Sequence, residues 1–372
     1  MDPYTHELHI ATLAVHCASI ITKIMQAVCD KGSRDKEDAS PVTVADFAAQ
    51  AILISALRHH FPDDQFIGEE SAAVLRKDPE LVERVWALVT ALKQSGMRHG
   101  GGDGRKNVDG VDDDEVAEEI QASIPVTRDE MLRVIDLGGN GEGAGDAAGR
   151  RTWILDPIDG TATFIRGQQF AVSVALVVDG EQRVGVVGYP NLKDGGAVVH
   201  EDAIDDGGYG LLVSAVKGQG ASKRVMLRSG LQPAEKLVQM SANKLVFVES
   251  LASPYVSLER QSTVRDRLQA TAPITDLWSM QVKYGALIIG ACNAMVRIPK
   301  HKDYRPWAWD HAGGMLVYEE SGGRITDLHG RPFQYRGRKL MANVGVVAAL
   351  PEVHAHVLKV ARQVSEDDQV YE

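Results

Sequence analysis

The chain is short of cysteine, of aromatic residues and of positive charge. Three cysteines in 372 residues, Cys17, Cys29 and Cys292, stand too far apart for a disulfide framework or a zinc site. A reducing compartment, the cytoplasm, is the expected setting. The net charge of -11 excludes a protein that sheathes a nucleic-acid polymer, because phosphate backbones are gripped by clustered Lys and Arg. A small phosphorylated ligand is not excluded, since a few local cations or metal ions suffice for it. The N-terminal stretch MDPYTHELHIATLAVHCASIITKIM has no basic leader and reads as no secretory signal. The longest apolar run, YGALIIGACNAMVRI from Tyr284, is too short and too interrupted to span a bilayer, so no membrane partner is expected.

Apolar positions at helical spacing (Leu8, Ala11, Val15, Ile20) predict an opening helix over 5–29. Ser40 and Pro41 punctuate the chain, and Asp46 is read as preceding a second helix that runs to Leu57. FPDDQFIGEES reads as a turn, a short strand and an acidic loop. The stretch from Gly96 to Asp114, rich in Gly and Asp and without apolar period, reads as a surface insert, and DLGGNGEGAGDAAGRR as a second irregular segment. FAVSVALVVDGEQRVGVVGYP is a hairpin turning at Asp179-Gly180. GLLVSAV, KLVFVES, NAMVRIP and GRITDLHG are further strands, with helices over 279–289, after Asp310 and from Pro351. Helices and strands mix without clean alternation, which predicts a layered α/β protein with largely antiparallel, mixed sheets. Two closely packed parts are expected, 1–200 and 201–372.

The chemistry concentrates in WILDPIDGTATF, Trp153 to Phe164. Asp156 ends an apolar strand, Pro157 forbids its extension, and Gly160 frees the backbone to turn into a helix near Thr161. Two carboxylates thus stand beside a helix N-terminus whose free N–H groups suit a phosphate. The carboxylates alone repel that anion; divalent cations between them resolve the conflict, and hard oxygen ligands without His or Cys favour magnesium. A lone DPxDG is equally well explained as an Asp-rich turn. Glu69 and Glu70 after Gly68, Asp310 in WAWDHAGGM and Asp46 in TVADFAAQ are each, taken singly, ordinary caps or solvated acids. Four acidic strand-to-helix junctions together are not. Trp153, Trp307 and Trp309 are read as packing residues that shield the site, and His311 as a helix-start histidine.

SPVTVADFAAQ, FIGEES, WILDPIDGTATFIRG and WAWDHAGGMLVYEESGG, in this order, resemble the inositol monophosphatase superfamily, and within it the 3'(2'),5'-bisphosphate nucleotidases. The resemblance implies an αβαβα sandwich and a lithium-sensitive phosphatase using two or three Mg2+ ions. It implies metal ligands Glu69, Asp156, Asp159 and Asp310, with the carbonyl of Ile158. Asp46 and Thr161 become the pair that takes a proton from the attacking water, because a threonine hydroxyl relays a proton only toward a carboxylate. The N–H groups of Gly160 and Thr161 are placed to hold phosphoryl oxygens. Either a monomer or a homodimer fits the family.

The pocket half departs from the pattern. Ala162 and Thr163 stand where the nucleotidases carry Lys-Gly. ESLASPYVSLERQS lacks the histidine of the family's nucleotide contact, leaving Tyr255 or Ser257 at that position, and Met280 replaces a binding serine. Lys283 and Arg297 are retained. Substrate contacts are therefore expected from Gly160, Thr161, Tyr255 or Ser257, Met280, Lys283, Arg297 and Asp310. The expected activity is hydrolysis of a small phosphate ester, the 3'-phosphate of 3'-phosphoadenosine 5'-phosphate or a related bisphosphate. The alternatives are a recruited paralogue acting on an inositol phosphate or prenyl diphosphate, a lyase or cyclase, and a silent ligand-binding regulator.

Overall fold

The computed structural model describes residues 3–28, 41–94, 113–139, 150–195, 198–238 and 244–367. The Gly/Asp insert up to residue 112, and 140–149 of the second irregular segment, lie outside the described residues.

A long sheet organises the chain. It runs β1 (Gln65–Gly68), β2 (Arg151–Asp159), β3 (Ala171–Val178), β4 (Glu181–Tyr189), β5 (Leu211–Val216) and β6 (Gly220–Leu227), with β7 (Gly230–Leu231) and β8 (Glu235–Leu237) both on β6. Only the β1–β2 pair in it is parallel. Asp179 (φ 56°) and Gly180 (φ 82°) make the tight β3–β4 turn, where both central residues need the left-handed region. Strands β3 and β5 are nearly continuous in Val, Leu and Ala because both faces are covered.

One face packs on α1 (Thr5–Val28) and α2 (Pro41–His60), backed by α3 (Pro79–Gln94), α4 (Asp113–Ser123) and α5 (Arg128–Gly139). Val172, Val174 and Leu176 point into this core. The other face, with Ala171, Ala175 and Val177, packs on α8 (Met280–Ile288) and α9 (Ala312–Glu320). Beneath those helices lies a second sheet in the order β11 (Ala294–Arg297), β13 (Val346–Ala349), β12 (Arg324–Thr326). Its far face carries α7 (Leu258–Arg267) and α10 (Pro351–Asp367), packed through Val264, Val296, Val347 and Val357. The five layers are the αβαβα sandwich. A short parallel pair, β9 (Val248–Glu249) with β10 (Thr275–Asp276), the five-residue α6 (Thr161–Ile165) and a one-turn 3-10 helix (Leu75–Lys77) complete the described elements.

Four local expectations change. Asp156 does not end β2 and Pro157 does not forbid its extension: the strand runs on to Asp159, which pairs with Ala171 after a register shift that absorbs the proline. Asp46 does not precede α2 but lies inside it: the helix begins at Pro41, whose fixed φ and missing N–H suit a first helical position. KLVFVES forms only the two-residue β9 and a single bridge from Phe247 to Ala294. Trp307 is not core but 39% exposed, whereas Trp153 and Trp309 are buried as expected.

Candidate active site

The turn after β2 is built by conflict between strand and helix. Asp156 still pairs with Ser173 of β3, the register then shifts, and Asp159 pairs with Ala171. Gly160 caps α6 at φ 97°, and a Cβ there would sit 2.7 Å from Thr163 Oγ1 and 2.9 Å from Ser279 Cβ. Only glycine meets both demands.

Three other segments come to this turn. In the parallel β1–β2 pair Gly68 lies opposite Leu155, so Glu69 leaves β1 beside Asp156 of β2. Gln50, inside α2, fixes the Glu69–Glu70 loop. Its Nε2 donates to the carbonyls of Glu70 (2.7 Å) and Ile135 (2.9 Å), and its Oε1 accepts from the Glu70 N–H (3.0 Å). The Asp310 turn is held by Gln281. Its Nε2 donates to the Trp309 carbonyl (2.8 Å), its Oε1 accepts from the Gly314 N–H (2.9 Å), and its own N–H donates to Asp159 Oδ2. Ser279 Oγ donates to the same Asp159 oxygen (2.6 Å) while capping α8 by accepting from the Val282 N–H (3.0 Å).

Asp156, Asp159 and Asp310 thereby offer carboxylate oxygens all within 4.8 Å of one another. Glu69 lines the same cleft from its rim. Asp46 is buried on α2, which packs against β2 and α6. Burial pushes Asp46, Asp156 and Asp310 well above the usual carboxylate range, and the charges of their acidic neighbours add to it. Burial, then Glu70 and Asp159, lifts Glu69 to about 7, against the pull of Arg338. Asp159 rises less freely, because Ser279, Gln281 and Lys283 favour its ionised form. Oδ1 of Asp46 and Oδ1 of Asp156 are buried without a hydrogen-bond partner. A donor set of oxygens alone, mutually repelling and partly unsatisfied, fits a hard divalent cation. Thr161 Oγ1 donates to the Ile158 carbonyl at 3.4 Å, which draws that backbone oxygen and the hydroxyl to one side of the turn.

The cleft above the carboxylates holds about 720 Å³. Gly160, Thr161, Tyr255, Met280, Lys283, Arg297 and Asp310 all line it. Ser257 is used elsewhere, as the N-cap of α7, where its Oγ accepts from the Arg260 N–H at 3.4 Å. Tyr255 stacks on Tyr304 at 5.2 Å. Lys283 is buried, donates to the carbonyls of Trp278 (2.8 Å) and Ser279 (3.2 Å), and is brought down to about 7 by burial and by Arg297. His311 does start α9. Its Nδ1 meets the Tyr284 hydroxyl at 2.7 Å, and burial, with Arg297 and Lys283, takes it down to about 3 and so keeps it neutral. Gln50, Gln281 and Ser279 escaped the sequence reading because each acts from a helix interior or start on a loop far along the chain. The run YRGRKLM, which brings Arg338 and Lys339 to the site, was the one signal available for those two.

The family match and the near-full-length relatives define the class, a phosphomonoesterase on a layered α/β scaffold. The chain belongs to the inositol monophosphatase family, whose pattern it matches over residues 93–366. It is 37% identical to a 3'(2'),5'-bisphosphate nucleotidase of Emericella nidulans, over 97% of this chain and 99% of that protein. Its fold is shared with an inositol monophosphatase from Zymomonas mobilis (TM-score 0.57, 19% identity, 97% and 99% of the two chains). It is shared too with 2'AMP-bound SaIMPase-II (TM-score 0.52, 16% identity, 96% of each chain). The family is metal-dependent, and the acidic cluster is present here.

Proposed function

We propose that this phosphatase removes the 3'-phosphate of 3'-phosphoadenosine 5'-phosphate or a closely related bisphosphate, in a Mg2+-dependent reaction. The observation that carries the reading is the meeting of Asp156, Asp159 and Asp310 at the floor of a cleft whose wall holds Lys283 and Arg297. Identity to bisphosphate nucleotidases across nearly the whole chain supports the substrate class.

Glu69, Asp156, Asp159, Asp310 and the Ile158 carbonyl would hold two or three ions. Bound Mg2+ would supply charge neutralisation and Lewis acidity toward phosphoryl oxygens and water. Asp46, kept in a dry setting, accepts the proton that the Thr161 hydroxyl takes from the attacking water. The N–H groups at the start of α6 donate to the phosphoryl oxygens as charge develops on them. Lys283 and Arg297 orient the phosphate that is not cleaved, and Met280 and Tyr255 give the cleft apolar walls. A small-molecule ester, a cytoplasmic setting, inhibition by lithium and a monomeric or dimeric enzyme belong to the same proposal.

Inorganic phosphate release is measured from 3',5'-bisphosphonucleotides, inositol phosphates and prenyl diphosphates, with and without Mg2+. Release confined to the nucleotides supports the reading. Release confined to the inositol phosphates or prenyl diphosphates sinks it. Asp46→Asn is expected to lose turnover by about 10³-fold or more while remaining folded. Wild-type turnover in that variant removes the Asp46–Thr161 pair from the mechanism.

A further inference from the structure

We infer that Glu201 is a positioning residue of the substrate cleft: through the backbone of Trp278 it fixes where Lys283 presents its ammonium. The inference rests on the phosphatase reading above and adds to it the residue that aims one of its phosphate-holding groups.

Trp278 lies between β10 and the Ser279 cap of α8, so its N–H belongs to neither a ladder nor a helical turn. Glu201 takes it. The Trp278 N–H donates to Glu201 Oε1 at 2.6 Å, the short separation of a charge-assisted bond. The carbonyl of the same residue accepts from Lys283 Nζ at 2.8 Å, and the Ser279 carbonyl accepts from it at 3.2 Å. An ammonium has three N–H groups, so two are spent on these carbonyls and their placing sets the direction of the third. The Trp278 ring itself lines the cleft, 41% exposed, with the Arg166 guanidinium 5.9 Å from its centre. The next residue, Ser279, donates to Asp159, so the peptide that Glu201 pins adjoins an anchor of the carboxylate floor.

Glu201 can serve as a fixed point because the segment that bears it, between β4 and β5, is tied down on several sides. Gln169, fully buried just after α6, donates through Nε2 to the carbonyls of Asn191 and Ala203, both at 3.2 Å. Gln168 Nε2 donates to Asp202 Oδ1 at 2.8 Å, and Lys23 Nζ to the Asp205 carbonyl at 2.9 Å. The segment thus bridges the end of α6 to the start of α8. Burial lifts Glu201 above the usual carboxylate range, while the N–H groups of Trp278 and Gln169 and the charges of Lys283 and Arg166 favour its ionised form. Its second oxygen, Oε2, is buried without a hydrogen-bond partner. A half-satisfied carboxylate is a costly way to close a loop. Here it stands among the two cations that touch Trp278 and holds the tryptophan between them.

The test is a double-mutant cycle read in KM. Glu201→Ala is expected to raise KM for adenosine 3',5'-bisphosphate about tenfold, the loss of one charge-assisted hydrogen bond. Its kcat should stay within about threefold of wild type, since the bond acts on binding. Glu201→Gln keeps an oxygen that accepts from the Trp278 N–H and should bring KM back to within about threefold of wild type. In a Lys283→Met background Glu201→Ala should add less than about twofold, because the two residues act as one unit. An unmoved KM in Glu201→Ala, a full penalty in the Lys283→Met background, or a Glu201→Gln as weak as Glu201→Ala overturns the role. A fall in kcat and melting temperature at constant KM makes Glu201 a support of the fold alone and overturns it as well. A second readout needs no turnover: calorimetric titration with AMP, which carries the uncleaved phosphate. AMP binding that weakens in Glu201→Ala only when Lys283 is present, in a protein that hydrolyses no bisphosphonucleotide, upholds the role of Glu201 and removes the proposed reaction. Hydrolysis with AMP binding untouched by Glu201→Ala removes the role of Glu201 alone.

Discussion

At the scale of single residues, two glutamines do what the carboxylates cannot do for themselves. Like charges at the cleft floor push Asp156, Asp159 and Asp310 apart, so the loops bearing them need anchors of neutral charge. Gln281 supplies one, bonding Asp159 through its backbone and both Trp309 and Gly314 through its amide. It is fully buried, so each of those bonds is made in a low-dielectric interior where a lost partner goes unreplaced. Gln281→Leu keeps the volume and removes the amide, leaving a carbonyl and an N–H unpaired. The expected loss is about 2–4 kcal/mol of stability. The expected loss of kcat is about tenfold or more even at temperatures where the variant is folded, since Asp310 is no longer held against Asp159. Thermal unfolding beside kcat at low temperature checks it; a destabilised variant with wild-type kcat refutes the anchoring role.

At the scale of elements, the β2–turn–α6 unit was legible in the sequence because all its instructions are local. Apolar Trp153 to Leu155 make the strand and Gly160 takes the left-handed turn, whereas Pro157 shifts the register of the strand without ending it. The hairpin at Asp179-Gly180 was legible for the same reason. Asp46 was misplaced because a proline followed by the β-branched Val42, Thr43 and Val44 reads as punctuation as readily as a helix start. The meeting of Glu69 with Asp156 is invisible in one dimension: it depends on β1 pairing in parallel with a strand 87 residues later, Gln65 opposite Thr152. Trp307 looked like core only because its neighbours Ala308 and Trp309 are. Gly160→Ala tests the turn. The left-handed backbone costs an alanine about 1–2 kcal/mol, and the added methyl must displace Ser279, the residue that holds Asp159. A fall in activity exceeding about tenfold, with the far-ultraviolet spectrum intact, is expected. Activity equal to wild type shows that the turn tolerates a side chain and that Ser279 does not fix Asp159.

At the scale of the whole molecule, the cleft sets how stability varies with pH, and the signs can be worked out. Glu69 is raised to about 7, above its ordinary 4.5, so the folded chain holds this proton more tightly than the unfolded one. Its contribution is fully present below about 4.5 and is lost as pH climbs through 7. Asp46, Asp156 and Asp310 are displaced in the same direction and steepen the loss. Lys283 runs the other way. Lowered from 10.5 to about 7, it burdens the fold with a buried charge below 7, and that burden lifts as pH rises from 7 toward 10.5. Metal-free protein should therefore lose stability from mildly acidic to neutral pH and flatten or recover at alkaline pH. Magnesium binds the ionised carboxylates and so competes with protons. Its stabilisation should be small near pH 5 and large above 7, reaching about 2.7 kcal/mol at a hundredfold excess over its dissociation constant. Melting temperatures in chelator and in Mg2+ across pH 5 to 9 read both curves. If the chelated protein grows more stable between pH 5 and 7, or if Mg2+ shifts the melt equally at pH 5 and pH 8, the clustered carboxylates do not govern the fold's response to pH. In Asp156→Asn, which removes one of the crowded charges, the chelated curve should flatten and the magnesium shift should shrink.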